Sequence, residues 1–133
     1  MTRMIFVNLA VRDLGAAKGF FGKLGFEFDR RISDETGAGM IINEHAYVML
    51  LTQPFFKTFT KNAICDTSKQ TEALLAISCD SRAKVDALVE AALAAGGRRA
   101  TEPKDQGFMY VATFYDLDGH HWEVVWMDPA ALA

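Results

Sequence analysis

The feature that most constrains this chain is a pattern of strand and helix signals that occurs twice. Ile5-Phe-Val-Asn-Leu-Ala-Val11 is a β-rich run, and Asp13 follows it. The Asp13 carboxylate suits a helix N-cap, because it accepts from the free amides of the first turn. Leu14, Ala17, Phe21 and Leu24 then recur at spacings of 3, 4 and 3, which places them on one helical stripe. Gly25 ends the element as a residue that tolerates a left-handed backbone, while Gly22 weakens the helix without forbidding it. The second half begins again at Ala73-Leu-Leu-Ala-Ile-Ser-Cys79, with Asp80 or Ser81 as the cap. Val85, Leu88, Ala92 and Ala95 repeat the 3, 4, 3 spacing before Gly96-Gly97. Each helix is followed by three strand-like runs: Phe26–Arg31, Met40–Asn43 and Tyr47–Thr52, then Arg98–Glu102, Met109–Tyr115 and Trp122–Met127. The pattern predicts an α+β fold of two tandem βαβββ modules, at residues 4–52 and 72–128, in a single domain over 1–133.

The connection at residues 53–71 exceeds the usual loop length of about 4–6 residues and is expected to carry structure of its own. Phe55, Phe56 and Phe59 predict a short amphipathic turn laid over the core, since grouped aromatics bury area. Asp118-Gly119 between two β runs predicts a type I′ hairpin turn.

With 133 residues the chain is long enough to bury a core without staples. A hydrophobic share of 50% with 23% charged residues is the balance of an ordinary globular protein. The net charge of −3, with no basic run longer than the Arg30-Arg31 and Arg98-Arg99 pairs, argues against nucleic acid as a partner. No apolar run reaches bilayer length, so no membrane partner is expected. Cys65 and Cys79 lack a second Cys/His pair at zinc-type spacing. Reduced thiols and the short apolar stretch from Met4 to Val11 predict a cytoplasmic protein without a signal segment.

The tandem βαβββ pattern, the Val11-Arg-Asp13-Leu start, the Phe20-Phe21 to Leu24-Gly25-Phe26 segment and the Asp116-Leu-Asp-Gly119-His-His-Trp-Glu123 hairpin together resemble the vicinal oxygen chelate superfamily. This is the group of glyoxalases, bleomycin-resistance proteins and extradiol dioxygenases. The resemblance runs from Met4 to about Met127. It implies two curved mixed sheets around a cavity with helices on the outer face, a homodimer, and four His, Gln or Glu metal ligands on the first and last strands of the modules.

Matched to that pattern, the ligand positions fall on Phe6, Leu50, Leu74 and Glu123. Three are apolar, and one carboxylate does not hold a catalytic divalent ion. No cofactor is therefore expected. A register slip of one residue exchanges strand faces, and each face carries candidate substitutes: Asn8 beside Phe6, Glu72 beside Leu74, and His121 and Met127 beside Glu123. A displaced metal site of His121, Glu123 and Glu72 is the alternative. Glu123 in apolar surroundings is expected to have a raised pKa unless His121, Tyr110 or Asn8 stabilises its anion, which suits a general base. Trp122 and Trp126 are expected on the opposite face under a helix, and His45 and His120 in solvated turns. No Gly-x-Ser-x-Gly elbow, phosphate loop or Cys/His pair for thiol catalysis is present. Two functions follow. One is metal-independent binding of a small, partly apolar molecule in a cavity lined by Phe6, Asn8, Leu50, Glu72, Leu74, Tyr110 and Met127. The other is a lyase, isomerase or dioxygenase-type enzyme with Glu123 as base, assisted by His121, or with the displaced metal.

Overall fold

The computed structural model describes residues 2–132 and divides into two compact units, one ending at Cys65 and the other beginning at Asp66. The first contains β1 (Ile5–Val11), α1 (Leu14–Lys23), β2 (Phe28–Asp29), β3 (Gly37–Asn43), β4 (Ala46–Thr52) and a short α2 (Gln53–Phe56). Its sheet has the order β1-β4-β3-β2, with β1 parallel to β4 and the other pairs antiparallel. Asp13 caps α1 by accepting from the Ala16 N–H at 2.9 Å, and Gly25 takes a left-handed φ of 98°. The Lys18 ammonium lies 5.9 Å over the Phe28 ring. Phe28 is registered with Met40, and Met40 with Val48, so α1 covers the face that carries Met40, Val48 and Leu50. These residues, with Leu9, Val11, Ala17, Phe20 and Phe21, form the buried core.

The second unit contains β5 (Leu74–Ser78), α3 (Arg82–Ala94), β6 (Lys104–Asp105), β7 (Met109–Tyr115) and β8 (His121–Met127). Its sheet order, β5-β8-β7-β6 with β5 parallel to β8, repeats that of the first. Ser81 is the cap of α3, accepting from Lys84 N–H at 3.1 Å. The Arg82 guanidinium sits 4.4 Å over Trp126, and the Tyr110 hydroxyl donates to Asp86 at 2.6 Å. Helix α3 thus covers the Trp122, Val124, Trp126 and Tyr110 face, and Val85, Val89, Ala92, Phe114, Trp122 and Val124 are buried. The molecule is α+β, with two four-stranded mixed sheets and three α-helices among the described residues. No helix among them is long and apolar enough to cross a membrane.

Four local expectations change. The run Phe26–Arg31 narrows to Phe28–Asp29, because the Asp29 carboxylate accepts from Arg31 N–H at 2.9 Å and caps a 3-10 turn over Arg30–Ile32. The run Arg98–Glu102 yields only a bridge between Arg98 and Tyr115. Thr101 turns its N–H to the Thr113 hydroxyl at 2.8 Å, Pro103 has no N–H to offer a ladder, and pairing resumes at Lys104–Asp105. In the connection, Phe55 and Phe59 meet edge-on at 5.0 Å, but Phe59 is 69% exposed, so its ring does not cover the core. The last hairpin is not type I′, which needs positive φ at both central residues. Among the described residues only glycines have positive φ, Gly119 at 81°. Gly119 N–H and Asp116 O close a turn at 3.1 Å, and Asp116 N–H meets His120 O at 3.1 Å, giving a three-residue loop whose last residue is left-handed.

Candidate functional site

The face of the second sheet opposite α3 gathers most of the chemistry-bearing side chains. Across β5, β8 and β7, Leu74 is registered with His121 and His121 with Tyr115, while Ala76 is registered with Glu123 and Glu123 with Thr113. Alternation along each strand puts all six on one face, with Met127 further along β8. Edge-to-face packing of Tyr115 on His121, at 5.4 Å between centroids and 79° between planes, fixes the imidazole. Arg98 lies over the other side of this row, its guanidinium 5.2 Å from the Tyr115 centroid. Glu123 is half-buried, and among the described residues its carboxylate makes no hydrogen bond or ion pair. Thr113 is buried, its hydroxyl occupied by Thr101.

Tyr110 lies elsewhere. It is registered with Trp126, on the α3 face, and its bond to Asp86 holds its pKa above the ordinary tyrosine value. It neither lines the Glu123 face nor donates to Glu123, because an even number of residues separates it from Trp122 across the register.

Glu72 also has another partner. Its Oε1 lies 2.6 Å from His120 Nδ1. His120 is 4% exposed, not solvated, because the three-residue loop folds it under the hairpin. Beside it the buried Asp116 carboxylate accepts from His120 N–H at 3.0 Å, Asp118 N–H at 2.9 Å and the Trp122 indole N–H at 3.0 Å. Burial pushes the Asp116 carboxyl above its usual range, against the pull of His120 and these donors. Thr67 closes the cluster by donating its hydroxyl to the Asp118 carbonyl. Glu72, His121 and Glu123 are therefore not assembled, and among the described residues no group of three His, Cys, Asp or Glu is placed to hold an ion.

In the first unit, Phe6 is registered with Tyr47 and Asn8 with Met49. Phe6 and Tyr47 stack at 5.4 Å with planes 10° apart, and Phe6 is 48% exposed. Leu50 is registered with Leu9, on the opposite face, and is fully buried under α1. The position in β4 that corresponds to Glu123 is Met49. Glu123 pairs with Ala76, two residues after Leu74, as Met49 pairs with Asn8, two residues after Phe6. The assignment of a site position to Leu50 was one residue out, and one residue exchanges faces.

The family model for the glyoxalase/bleomycin resistance protein/dioxygenase superfamily matches residues 3–124. The chain belongs to that superfamily. Among solved structures it is similar to hypothetical protein SA1046 from S. aureus, at 27% identity and a TM-score of 0.79, covering 94% of each chain. It shares the fold of a glyoxalase-related enzyme from Fulvimarina pelagi, at 19% identity and a TM-score of 0.79 over 95% of this chain and 88% of that one. It likewise shares the fold of the genomically encoded fosfomycin resistance protein FosX from Listeria monocytogenes, at 20% identity and a TM-score of 0.67 over 94% and 90%. No curated protein matches the chain. The metal-ligand set that the family resemblance implies does not fit these residues. Phe6 and Leu74 have no lone pair to donate, Met49 offers a soft thioether, and Glu123 alone is a hard donor.

Proposed function

We propose that this protein binds a small, partly apolar molecule against the open face of its second sheet, without the divalent ion of metal-dependent relatives. One observation carries the reading: of the four positions equivalent to the metal ligands, three hold Phe6, Met49 and Leu74, and only Glu123 is a carboxylate. Leu74 and Met127, 60% and 38% exposed, supply apolar area, while Glu123 and His121 supply the few polar groups that orient a ligand. Elemental analysis of protein purified without a histidine tag tests it. Near one equivalent of a divalent ion per chain overturns the metal-free reading, and a metal-free protein whose melting point rises with small aromatic ligands supports it.

A second reading is favoured by the unengaged, half-buried Glu123 carboxylate beside His121: a lyase or isomerase in which Glu123 takes a proton from the bound substrate. Turnover of thiol-conjugated aldehydes that Glu123→Gln abolishes selects this reading over binding alone. Exposed Met4, Ile5 and Phe6 on and beside the edge strand β1 support a homodimer, measured by light scattering. Cys65 and Cys79, which form no disulfide among the described residues, support a cytoplasmic setting.

A further inference from the structure

Four side chains form one row across the second sheet. Arg98 bridges Tyr115 through both backbone hydrogen bonds, 3.1 Å and 2.6 Å, Tyr115 is registered with His121, and His121 with Leu74. Partners directly opposite in a ladder project to the same side, so a cation, a phenol ring, an imidazole and an apolar side chain stand next to one another. The guanidinium carbon lies 5.2 Å from the Tyr115 ring centroid, within the reach of cation–π attraction. Among the described residues it has no carboxylate partner. A guanidinium oriented by a ring and unpaired at its N–H edge is a fork for a planar anion. Two residues along β8, about 7 Å away at strand rise, Glu123 presents the opposite charge, which accepts a hydrogen bond and repels a second anion.

We infer that this row and Glu123 select planar organic monoanions, with the carboxylate on Arg98, the ring alongside Tyr115 and His121, and a hydrogen-bond donor at the far end on Glu123. The inference rests on the reading that this face takes up a small molecule, and names its class. Leu74 supplies the apolar flank, and the acidic far end excludes dicarboxylates of the same length.

Calorimetry with 4-hydroxybenzoate, 4-hydroxybenzamide and terephthalate tests the assignment on the full chain. The monoanion is expected to bind, and the neutral amide and the dianion to bind at least about tenfold more weakly, the worth of one charge-assisted hydrogen bond. Arg98→Gln is expected to weaken 4-hydroxybenzoate by a similar factor, and Arg98→Lys by less. Glu123→Gln is expected to admit terephthalate. Near-ultraviolet dichroism checks that each variant keeps the wild-type fold. Equal binding of acid and amide, or an Arg98→Gln variant that binds as wild type, overturns the monoanion assignment while leaving small-molecule binding standing. Failure of all three probes also overturns the assignment, whereas small-molecule binding fails only if the broader melting-point screen is silent as well.

Discussion

Glu72 reaches His120 at 2.6 Å inside the second unit, and the side chains are 29% and 3% exposed. The pair joins the segment before β5 to the loop before β8. Glu72→Ala leaves a buried imidazole without its carboxylate and is expected to cost about 1–3 kcal/mol, read by urea unfolding. A loss below about 0.5 kcal/mol would class the contact with surface ion pairs.

Asp116 supplies a pH signature. Its folded pKa is raised from 3.8, first by desolvation, so the folded state binds its proton more tightly than the unfolded chain does. That contribution to stability is fully present below 3.8 and is lost as pH rises through the folded value. Asp29, Asp34 and Asp105 are shifted downward by their hydrogen bonds and act in the opposite sense, but they cancel in a comparison with Asp116→Asn. The stability of wild type relative to that variant is expected to improve as pH falls. A difference flat with pH would contradict the shift.

Gly119 has φ 81°, and a Cβ built on it would lie 2.9 Å from the Thr67 carbonyl oxygen. Gly119→Ala combines backbone strain with a contact to main chain that cannot swing away, and is expected to lose about 2 kcal/mol or more. Thr67→Ala, which removes the hydroxyl donor but not the carbonyl, should leave the Gly119→Ala penalty largely in place in a double-mutant cycle.

Leu50 and Met49 are neighbours with opposite duties. Leu50→Ala opens a cavity in the core beneath α1 and is expected to cost about 2–5 kcal/mol. Met49→Ala, on the other face, is expected to cost less in thermal and urea unfolding. The reverse order would contradict the β1–β4 register.

The repeat was legible because punctuation and period agree at each step: Asp13 and Ser81 do cap, Gly25 and Gly96 do take positive φ, and β1 and β7 have the bounds their β-rich runs predict. What was not legible depended on side chains competing with the ladder. The Asp116 carboxylate draws in Asp118 and His120 amides and so replaces a two-residue turn by a three-residue loop. With that loop length unknown, the register across it is unknown too, which is why Tyr115 and Arg98 were not placed beside His121 and Tyr110 was placed on the wrong face. Counting back from Glu123 with His121 opposite Tyr115 would have found both. Glu72 could not be matched to His120 from spacing, because their contact depends on how the segment before β5 meets the loop before β8, which no helix or strand period reports.

In both units the first strand lies parallel beside the last, β1 with β4 and β5 with β8. During synthesis, β1 therefore waits for Thr52 and β5 for Val125 before either strand is fully paired. A ribosome stalled before β8 would hold a chain whose first sheet is complete and whose β5 has no neighbour, separated from the β6–β7 pair by the missing strand, with Leu74 and its neighbours available to chaperones. Nonsense changes late in the coding sequence should thus be far more damaging to the second sheet than the few residues they remove would suggest.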